Sequence, residues 1–470
     1  MKLNCQKIFS LLLSLMMLIA ALPMAGAPAY AKSDDAIPIS TPEELDTLVR
    51  ANLAGNFILT QDIDLTDYLS ADGPGYNGGA GWQPINDFRG IFDGNGYTIS
   101  GLYSNRPNQS GMGLFGILNG ARIHNLGMVD VAVRGNQMVG SLAGASSSPN
   151  DAIINSYAKG EVAGVAAVGG LVGQNYGLIR KSYSSCNVSA SGNPNVGGLV
   201  GSHYGRIWES YATGNVTSTY VYTYAGGLVG RGYIGSSILD SYATGDVSGN
   251  AMLGGLAGYN QGSIISSYSK GRVEKLSPMG YSLGGLVGAF SDGYGTTERS
   301  YWDIQTSTRE DSAGGTGKGT AEMKTQSTFE DWDFTDVWAM DESHDGYPYL
   351  IWTVTPTIYS QPEDQTINAG EPASFSVRAS TAAEDPLSYQ WKKDDVDITG
   401  AISATLTIEA AAASDAATYT VEVSNGTRTV TSDPATLTIN PGTTDPVAPS
   451  ITDQPQNQMV TVGETATFTV

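Results

Sequence analysis

The five-residue phrase Gly-Gly-Leu-Val-Gly, or a near copy of it, occurs six times between residues 140 and 288. A second phrase, Ser-Tyr-Ala-x-Gly-x-Val, recurs out of phase with the first. A period of about 28 residues predicts a stacked-repeat architecture, because each unit buries its apolar side only against its neighbours. The leucines of the first phrase are Leu142, Leu171, Leu199, Leu228, Leu256 and Leu286, and the serines of the second are Ser156, Ser182, Ser210, Ser241, Ser267 and Ser300.

Each repeat consists of short apolar runs between glycines. In the copy at residues 196–225, the runs are 196–201, 205–207 and 210–216. Three short strands joined by tight bends predict one coil of a parallel β-helix, with successive coils ~4.8 Å apart. A propeller blade, with four strands in roughly 40 residues, fits this spacing less well. The repeats therefore predict an all-β solenoid in which the recurring leucines form the core.

The Ser-Tyr-Ala strand also predicts which side chains face outwards. The residue before each serine is polar, so alternation along the strand places serine, alanine, glycine and valine inside and tyrosine outside. Five tyrosines should then form an exposed stacked ladder that can bind sugars or peptide side chains. The alternative is that the stacked rings only stabilise the edge of the helix. The tyrosines are Tyr157, Tyr183, Tyr211, Tyr242 and Tyr268.

The N-terminal segment, at positions 1–31, has the pattern of a secretory signal peptide. Lys2 and Lys7 precede an apolar stretch at 8–22, and Ala29-Tyr30-Ala31 resembles a cleavage site. Without this segment the chain has 22 basic and 46 acidic residues, a formal charge of −24. Such a surface disfavours nucleic acid and anionic lipid as partners. We therefore expect a secreted protein with no transmembrane segment after cleavage, and Cys186, its one remaining cysteine, occupies an inward slot as a buried thiol.

The repeats resemble a known family. The phrase Gly-Leu-(apolar)-Gly, followed by Asn or His-x-Gly-x-Ile-x-x-Ser-Tyr-Ala-Thr-Gly, is similar to the GLUG-motif repeats of large bacterial surface proteins. Some of those proteins are adhesins, and others are immunoglobulin-A-cleaving metallopeptidases that carry the repeats outside their catalytic part. The resemblance covers residues 36–352. It implies a right-handed parallel β-helix at the cell surface and no shared enzymatic activity.

Within this region we expect three parts. Residues 32–120 form an irregular N-terminal cap, and the regular coils follow. Aromatic residues between 300 and 352 form a C-terminal cap. Bulkier terminal units are what a solenoid needs to close its open ends.

A different module follows the repeats. Residues 356–377 and 449–470 share one opening pattern, and their offset of about 93 residues is close to the length of one β-sandwich domain. Trp391 and Tyr419 resemble the core tryptophan and the tyrosine corner of immunoglobulin-like domains. The sequence predicts such a domain at 356–440, and it resembles a cysteine-free variant with valines at the disulfide positions, Val377 and Val421. A linker at 441–448 and the truncated start of a second domain at 449–470 complete the expected organisation.

Metal chemistry is not indicated. The signature His-Glu-x-x-His is missing, and His124, His203 and His344 are far apart in the sequence. The aspartates Asp62, Asp64 and Asp67 are an alternative source of calcium ligands, although they do not follow the twelve-residue loop pattern and turn capping explains them better. We therefore predict no metal and no cofactor.

Parallel β-helices also host polysaccharide lyases and glycosidases, which need carboxylates clustered on one outer face. Glu209 and Asp240 occupy equivalent positions in neighbouring coils and are the best such pair. At this outward position the other coils carry residues of different charge, such as Asn155 and Lys181. This variation favours solvated surface charge over a catalytic pair.

These observations predict an exported bacterial cell-surface protein that is non-catalytic in this segment. Adhesion, through host or matrix glycans or surface proteins, is the expected role. The alternatives are a secreted polysaccharide-degrading enzyme with its site on the β-helix face, and an enzyme whose catalytic domain lies beyond residue 470.

Overall fold

The computed structural model describes residues 35–192, 194–277, 282–291, 293–382, 385–440 and 449–470. The predicted signal peptide and the predicted linker at 441–448 lie outside these ranges. The chain divides into two compact units, one that ends at Thr353 and one that spans Val354–Val470. Among the described residues, no helix is both long and apolar enough to cross a membrane.

The first unit is a parallel β-helix with four parallel sheets. Sheet 1 contains Ile37–Ile39, Asn56–Leu59, Ile91–Asp93, Arg122–His124, Ala152–Ile154, Leu178–Arg180, Arg206–Trp208, Ser237–Leu239, Ser263–Ile265 and Thr296–Glu298. Sheet 2 contains Ile63–Asp64, Thr98–Ser100, Tyr103–Asn105, Gly127–Arg134, Tyr157–Gly164, Tyr183–Ser184, Asn187–Ala190, Tyr211–Ala212, Val216–Ser218, Tyr242–Ala243, Val247–Gly249, Tyr268–Ser269, Val273–Lys275, Tyr301–Asp303 and Thr316–Lys318. Sheet 3 contains Gln137–Val139, Ala166–Gly169, Asn195–Gly197, Tyr224–Gly226, Met252–Gly254 and Ser282–Gly284. Sheet 4 contains Phe115–Leu118, Ala143–Ser146, Val172–Asn175, Val200–His203, Val229–Gly232, Ala257–Asn260 and Val287–Phe290.

In each regular coil the chain passes through sheets 1, 2, 3 and 4 in that order. The predicted parallel β-helix is confirmed, but three strands per coil was too few. The glycine-rich run at 196–201 was expected to be one strand, and it is divided between Asn195–Gly197 and Val200–His203. The chain bends within the phrase and changes sheet there.

The last glycine of the phrase permits a close approach between sheets 3 and 4. A Cβ atom added to Gly201 would lie 2.5 Å from the backbone nitrogen of Val168. One added to Gly230 would lie 2.3 Å from the nitrogen of Val196. Any side chain would separate the two sheets, so the phrase needs glycine at this position for contact as well as for bending.

The leucine column forms the core, as predicted. All six leucines of the phrase have no exposed surface. They pack with the valines and isoleucines of the four sheets in one continuous apolar cluster. Each buried leucine contributes ~1.5–3 kcal/mol to folding, so the column holds the coils in register.

The corner between sheets 1 and 2 explains the polar residue before each serine. At this position the backbone is left-handed, with φ between 45° and 49° in six successive coils, from Asn155 to Arg299. The serine that follows is buried and links coils. Ser210 Oγ donates to Trp208 O at 2.8 Å and accepts from the backbone N–H of Ser182 at 3.2 Å.

The ends of the β-helix differ from its regular coils. The helix Pro42–Ala51 begins with a capping box between Thr41 and Glu44 and lies at the N-terminal end, followed by the 3-10 turn Asn77–Gly79. After the last coil come the helices Ile304–Ser307, Thr320–Met323 and Ile351–Val354, the 3-10 turns Gln326–Thr328 and Glu342–His344, and the antiparallel pair Trp338–Ala339 and Tyr349–Leu350.

The second unit contains the predicted immunoglobulin-like sandwich. Trp391 and Tyr419 are buried, and Tyr419 Oη donates to Asp415 O at 2.9 Å to form the tyrosine corner. Val377 and Val421 are buried at the expected disulfide positions. Residues 449–470 have no assigned strand, and a second domain there stays a prediction. The strands are Thr357–Ser360, Gln365–Asn368, Ala373–Ser376, Arg378–Ser380, Ser388–Lys393, Val396–Asp397, Thr405–Ile408, Ala417–Ser424, Thr429–Thr431 and Ala435–Asn440, with one 3-10 turn at Ala413–Asp415.

Candidate functional site

The five predicted tyrosines form the expected ladder on sheet 2. Their ring centroids are 4.7 to 5.1 Å apart, and neighbouring planes are inclined by 12° or less. The spacing follows from the strand register, which pairs each tyrosine with the one in the next coil. The prediction of a stacked ladder is therefore confirmed.

The prediction that the ladder is exposed is wrong. Tyr183, Tyr211, Tyr242 and Tyr268 are only 1 to 9% exposed, and Tyr157 is half-buried. Residues 329–352, here called the cover segment, pack on the rings of Tyr211, Tyr242 and Tyr268. A ligand could therefore stack on these three rings only by displacing this segment.

Tryptophans of the cover segment make the contacts. The Trp338 ring centroid lies 6.2 Å from that of Tyr242 and 6.1 Å from that of Tyr268, and Trp352 lies 6.1 Å from Tyr211. Tyr268 Oη donates to Pro348 O at 2.7 Å. Burial raises the pKa of the Tyr268 phenol well above its usual value. These rings have the environment of a core.

Glu209 and Asp240 are neighbours, as the repeat predicted, because the Glu209 N–H donates to Leu239 O at 3.1 Å. Glu209 is not solvated surface charge: it is 5% exposed and pairs with Arg180 at 2.9 Å and Lys181 at 3.5 Å.

Asp240 accepts a hydrogen bond from Trp338 Nε1 at 3.2 Å. Burial, assisted by the charge of Glu209, raises the pKa of Asp240 to about 6 although the Trp338 bond opposes the shift. Trp352 Nε1 also donates to the backbone oxygen of Glu209, at 2.9 Å. Both residues thus anchor the cover segment, and their geometry supports a structural role better than glycoside chemistry.

The alternative calcium ligands do not form a site. Asp64 Oδ1 accepts from Thr66 N at 2.9 Å, as a turn cap does. Turn capping does not describe Asp62, whose Oδ1 accepts from the backbone N–H of the distant Thr98 at 2.7 Å. In the described parts of the chain, Asp67 and these two aspartates belong to no group of three or more His, Cys, Asp or Glu side chains that could hold an ion. Cys186 is buried as predicted, and burial raises the pKa of its thiol to about 12.

A second tyrosine stack lies where each strand of sheet 4 ends. The rings of Tyr176 and Tyr204 are 4.3 Å apart, and those of Tyr204 and Tyr233 are 4.0 Å apart, all nearly parallel. Tyr176 is 38% exposed, and the other two are half-buried. We call these three residues the open stack.

Arg231 lies beside the open stack. Its guanidinium carbon is 4.4 Å from the ring centroid of Tyr233, 5.2 Å from that of Tyr259 and 5.3 Å from that of Tyr224. A pocket of about 500 Å³ opens next to it, here called the arginine pocket. The pocket is lined by Asn195, Tyr222, Thr223, Tyr224, Arg231, Ala251 and Met252.

Sequence reasoning missed this surface although two signals were present. Tyr176, Tyr204 and Tyr233 recur with the same period as the leucines of the repeat. The coil between Ser210 and Ser241 is also longer than its neighbours: these two serines are 31 residues apart. The serines of the preceding coil, Ser182 and Ser210, are 28 apart, and those of the following coil, Ser241 and Ser267, are 26 apart. The extra length includes the exposed residues Tyr220 and Tyr222, and Tyr222 lines the pocket.

The chain resembles two curated proteins. A "Putative Gly-rich membrane protein" of Evansella cellulosilytica is 36% identical over 381 residues, which cover 64% of this chain and 43% of the relative. "Halomucin" of Haloquadratum walsbyi is 33% identical over 344 residues, which cover 70% of this chain and 3% of that protein. The chain therefore spans less than half of the length of either relative.

Among solved structures, the N-terminal Ig1-2 module of the Drosophila receptor protein tyrosine phosphatase DLAR is 31% identical. That match covers 22% of this chain and 57% of the module, with a TM-score of 0.17. The tandem Ig repeats of Dlar are 18% identical and cover 19% of this chain and 50% of theirs, with a TM-score of 0.17. At such scores these likenesses carry no argument here.

The family models match both units. The GLUG motif matches residues 192–217, 221–248 and 249–274, and the immunoglobulin domain matches residues 355–425. These ranges coincide with regular coils of the β-helix and with the sandwich that contains Trp391 and Tyr419. The chain therefore contains GLUG-motif repeats followed by an immunoglobulin-like domain.

Proposed function

We propose that this chain is a secreted, surface-displayed and non-catalytic protein that binds glycans and acts in adhesion. The observation that carries the proposal is the open stack, three parallel tyrosine rings on the outside of the β-helix with Tyr176 38% exposed. The apolar face of a sugar ring packs on an aromatic ring, and tyrosine supplies this contact with few rotatable bonds.

The rings are held in place before any ligand arrives. The backbone N–H of Tyr204 donates to Asn175 O at 2.8 Å, and that of Tyr233 donates to His203 O at 2.9 Å. Asn195 Nδ2 also donates to Tyr233 Oη at 3.3 Å, and Gln174 Nε2 donates to Tyr176 Oη at 3.2 Å. Because each ring is tied to the preceding coil or its own strand, binding should cost little ordering entropy.

Display at the surface is supported by independent features. The relatives are named as a putative membrane protein and as halomucin. The predicted signal peptide would direct export of the protein from the cytoplasm. The formal net charge of −22 keeps a protein soluble and disfavours nucleic acid. A repeat region followed by an immunoglobulin-like domain is an organisation that suits a protein displayed at a surface.

The test is a glycan array probed with the purified chain, followed by titration of the best ligand into Tyr204→Ala. Loss of one stacked ring should weaken binding about 3- to 10-fold. Tyr294→Ala removes another exposed tyrosine outside the stack and should leave the affinity unchanged. A folded wild-type protein that binds no glycan, or equal affinities of Tyr204→Ala and wild type, would overturn the proposal.

A further inference from the structure

We infer that the arginine pocket binds the anionic group of a saccharide, a carboxylate or a sulfate, with Arg231 as its counter-ion. The inference rests on the proposed glycan-binding function and names the chemical class of the ligand. It places the charged group at Arg231 and the sugar ring against the tyrosines of the pocket.

Arg231 brings a positive charge to the pocket. No Asp or Glu oxygen of the described residues lies within 4 Å of its guanidinium, whereas Arg180 pairs with Glu209 and Arg272 pairs with Glu274. Other arginines, among them Arg106 and Arg309, also have no Asp or Glu partner within 4 Å among the described residues, but Arg231 is the arginine that lines this pocket. Its charge is available to an anionic ligand.

Arg231 leaves most of its hydrogen-bond donors unused by the described residues. Arg231 makes one hydrogen bond to the described residues, from Nη2 to Gln261 Oε1 at 3.3 Å, and its Nε has no acceptor although it is buried. A guanidinium carries five N–H donors in a planar fork. Carboxylate and sulfate oxygens match this fork with two parallel, charge-assisted hydrogen bonds.

Aromatic rings hold the guanidinium of Arg231 in place. Tyr224, Tyr233 and Tyr259 surround the guanidinium at 4.4 to 5.3 Å. These rings restrict the long side chain through cation–π contacts without neutralising it. A ligand therefore meets a cation that is already oriented, and this reduces the entropy lost on binding.

The size and lining of the pocket suit a small polar ligand. Its volume of about 500 Å³ lies within the usual range for small-molecule sites, and none of its lining residues is acidic. Tyr222, which is 56% exposed, offers an apolar ring at the side of the pocket. The longer coil that contains Tyr220 and Tyr222 builds this wall, and the neighbouring coils lack it. A sugar ring with one acidic substituent can pack on the Tyr222 ring and pair with the guanidinium of Arg231.

The experiment compares a hexuronic-acid oligosaccharide with the same oligosaccharide after its carboxyl groups have been reduced to alcohols. Binding of both to wild type and Arg231→Gln is measured by calorimetry. Wild type should prefer the acidic form at least about 10-fold, and Arg231→Gln should bind both forms alike. A sulfated oligosaccharide and its desulfated counterpart form a second pair, which distinguishes sulfate from carboxylate as the preferred anion.

Arg272→Gln is the matched control, because it removes the same charge from an exposed, paired arginine elsewhere on the β-helix. It should retain the preference. If Arg231→Gln does not fold, Met252→Glu tests the same idea by placing a carboxylate at the pocket, and it should abolish the preference for the acidic form.

The outcomes separate the two proposals. If wild type binds no saccharide of either pair, the proposed glycan-binding function fails and the inference fails with it. If wild type binds the neutral forms but shows no preference for the acidic ones, or if folded Arg231→Gln keeps the preference, the inference is overturned while glycan binding stands.

Discussion

Two tyrosine stacks run along the same β-helix and differ in what covers them. The ladder on sheet 2 and the open stack at the end of sheet 4 both contribute one ring per coil, with centroids 4.7 to 5.1 Å and 4.0 to 4.3 Å apart. The cover segment packs on three rings of the first, whereas the second keeps contact with solvent. Stacking follows from the repeat, whereas availability to a ligand depends on a segment outside it.

The neighbours of each stack are consistent with this difference. The ladder meets a segment rich in aromatic residues, and Trp332 and Trp338 pack together at 4.5 Å over it. The open stack adjoins Arg231, a cation without an acidic partner among the described residues. Covering an unpaired guanidinium with apolar side chains would cost desolvation energy, so this side favours water or an anionic ligand.

The largest expected effect is a difference in how much each stack contributes to the free energy of unfolding. Trp338→Ala removes a fully buried ring over the ladder and should lower the free energy of unfolding by about 3–5 kcal/mol. Tyr204→Ala, on the half-buried open stack, should lower it by less than about 1.5 kcal/mol. Chemical denaturation measures both, and faster proteolysis within residues 329–352 should accompany only the first. Equal losses would show that the two stacks are equally structural.

The next effect is a pH dependence beneath the open stack. His203 is fully buried, its Nε2 donates to Ser237 O at 3.1 Å, and burial lowers its pKa to about 4. In the unfolded chain histidine has a pKa near 6.5. As the pH falls from about 6.5 to 4, the unfolded chain binds a proton that the folded one rejects, which should cost up to about 3 kcal/mol of stability.

The matched variant is His203→Asn, because Asn175 and Asn260 occupy the same column in other coils. Its stability should lack this extra loss between pH 6.5 and 4, while losses from other groups remain. Parallel pH curves for wild type and variant would contradict the expected role of His203.

The smallest effect concerns the anchor of the cover segment. The pKa of Asp240 is raised to about 6, above the unfolded value near 3.9, so its contribution to stability is lost as the pH rises from about 4 to 6. Asp240→Asn keeps an acceptor for Trp338 Nε1 and should stabilise the protein by about 1 kcal/mol at pH 7, after allowance for solvent screening. Thermal melting at pH 7 and pH 3.5 measures this gain, which should vanish at the lower pH. A destabilised variant at pH 7 would show that the charge is needed.

Much of the β-helix was predictable because its core repeats locally. The burial of Leu199 and its counterparts, the inward serines and the stacking of the tyrosines all follow from the regular period of the two phrases and from alternation along a strand. The extra sheet change within the phrase at 196–201 was not predicted, because a glycine-rich run is compatible with either one strand or a bend.

The exposure of the sites was not predictable in this way. Trp338 reaches Asp240 across 98 residues, and Trp352 reaches Glu209 across 143. Neither contact has a periodic signal. The same holds for the arginine pocket, which forms where Asn195, Arg231 and Met252, from three successive coils, come together.

The amino-acid sequence alone determined that the chain forms a stacked parallel β-helix followed by an immunoglobulin-like sandwich. The reason is that apolar positions repeated with one period are buried together when successive coils stack. Only the tertiary structure decided which tyrosines remain accessible, since that depends on where the aromatic cover segment docks. The apolar pattern encodes which face of a strand points inwards, but coverage of its outer face depends on contacts between residues far apart in the chain.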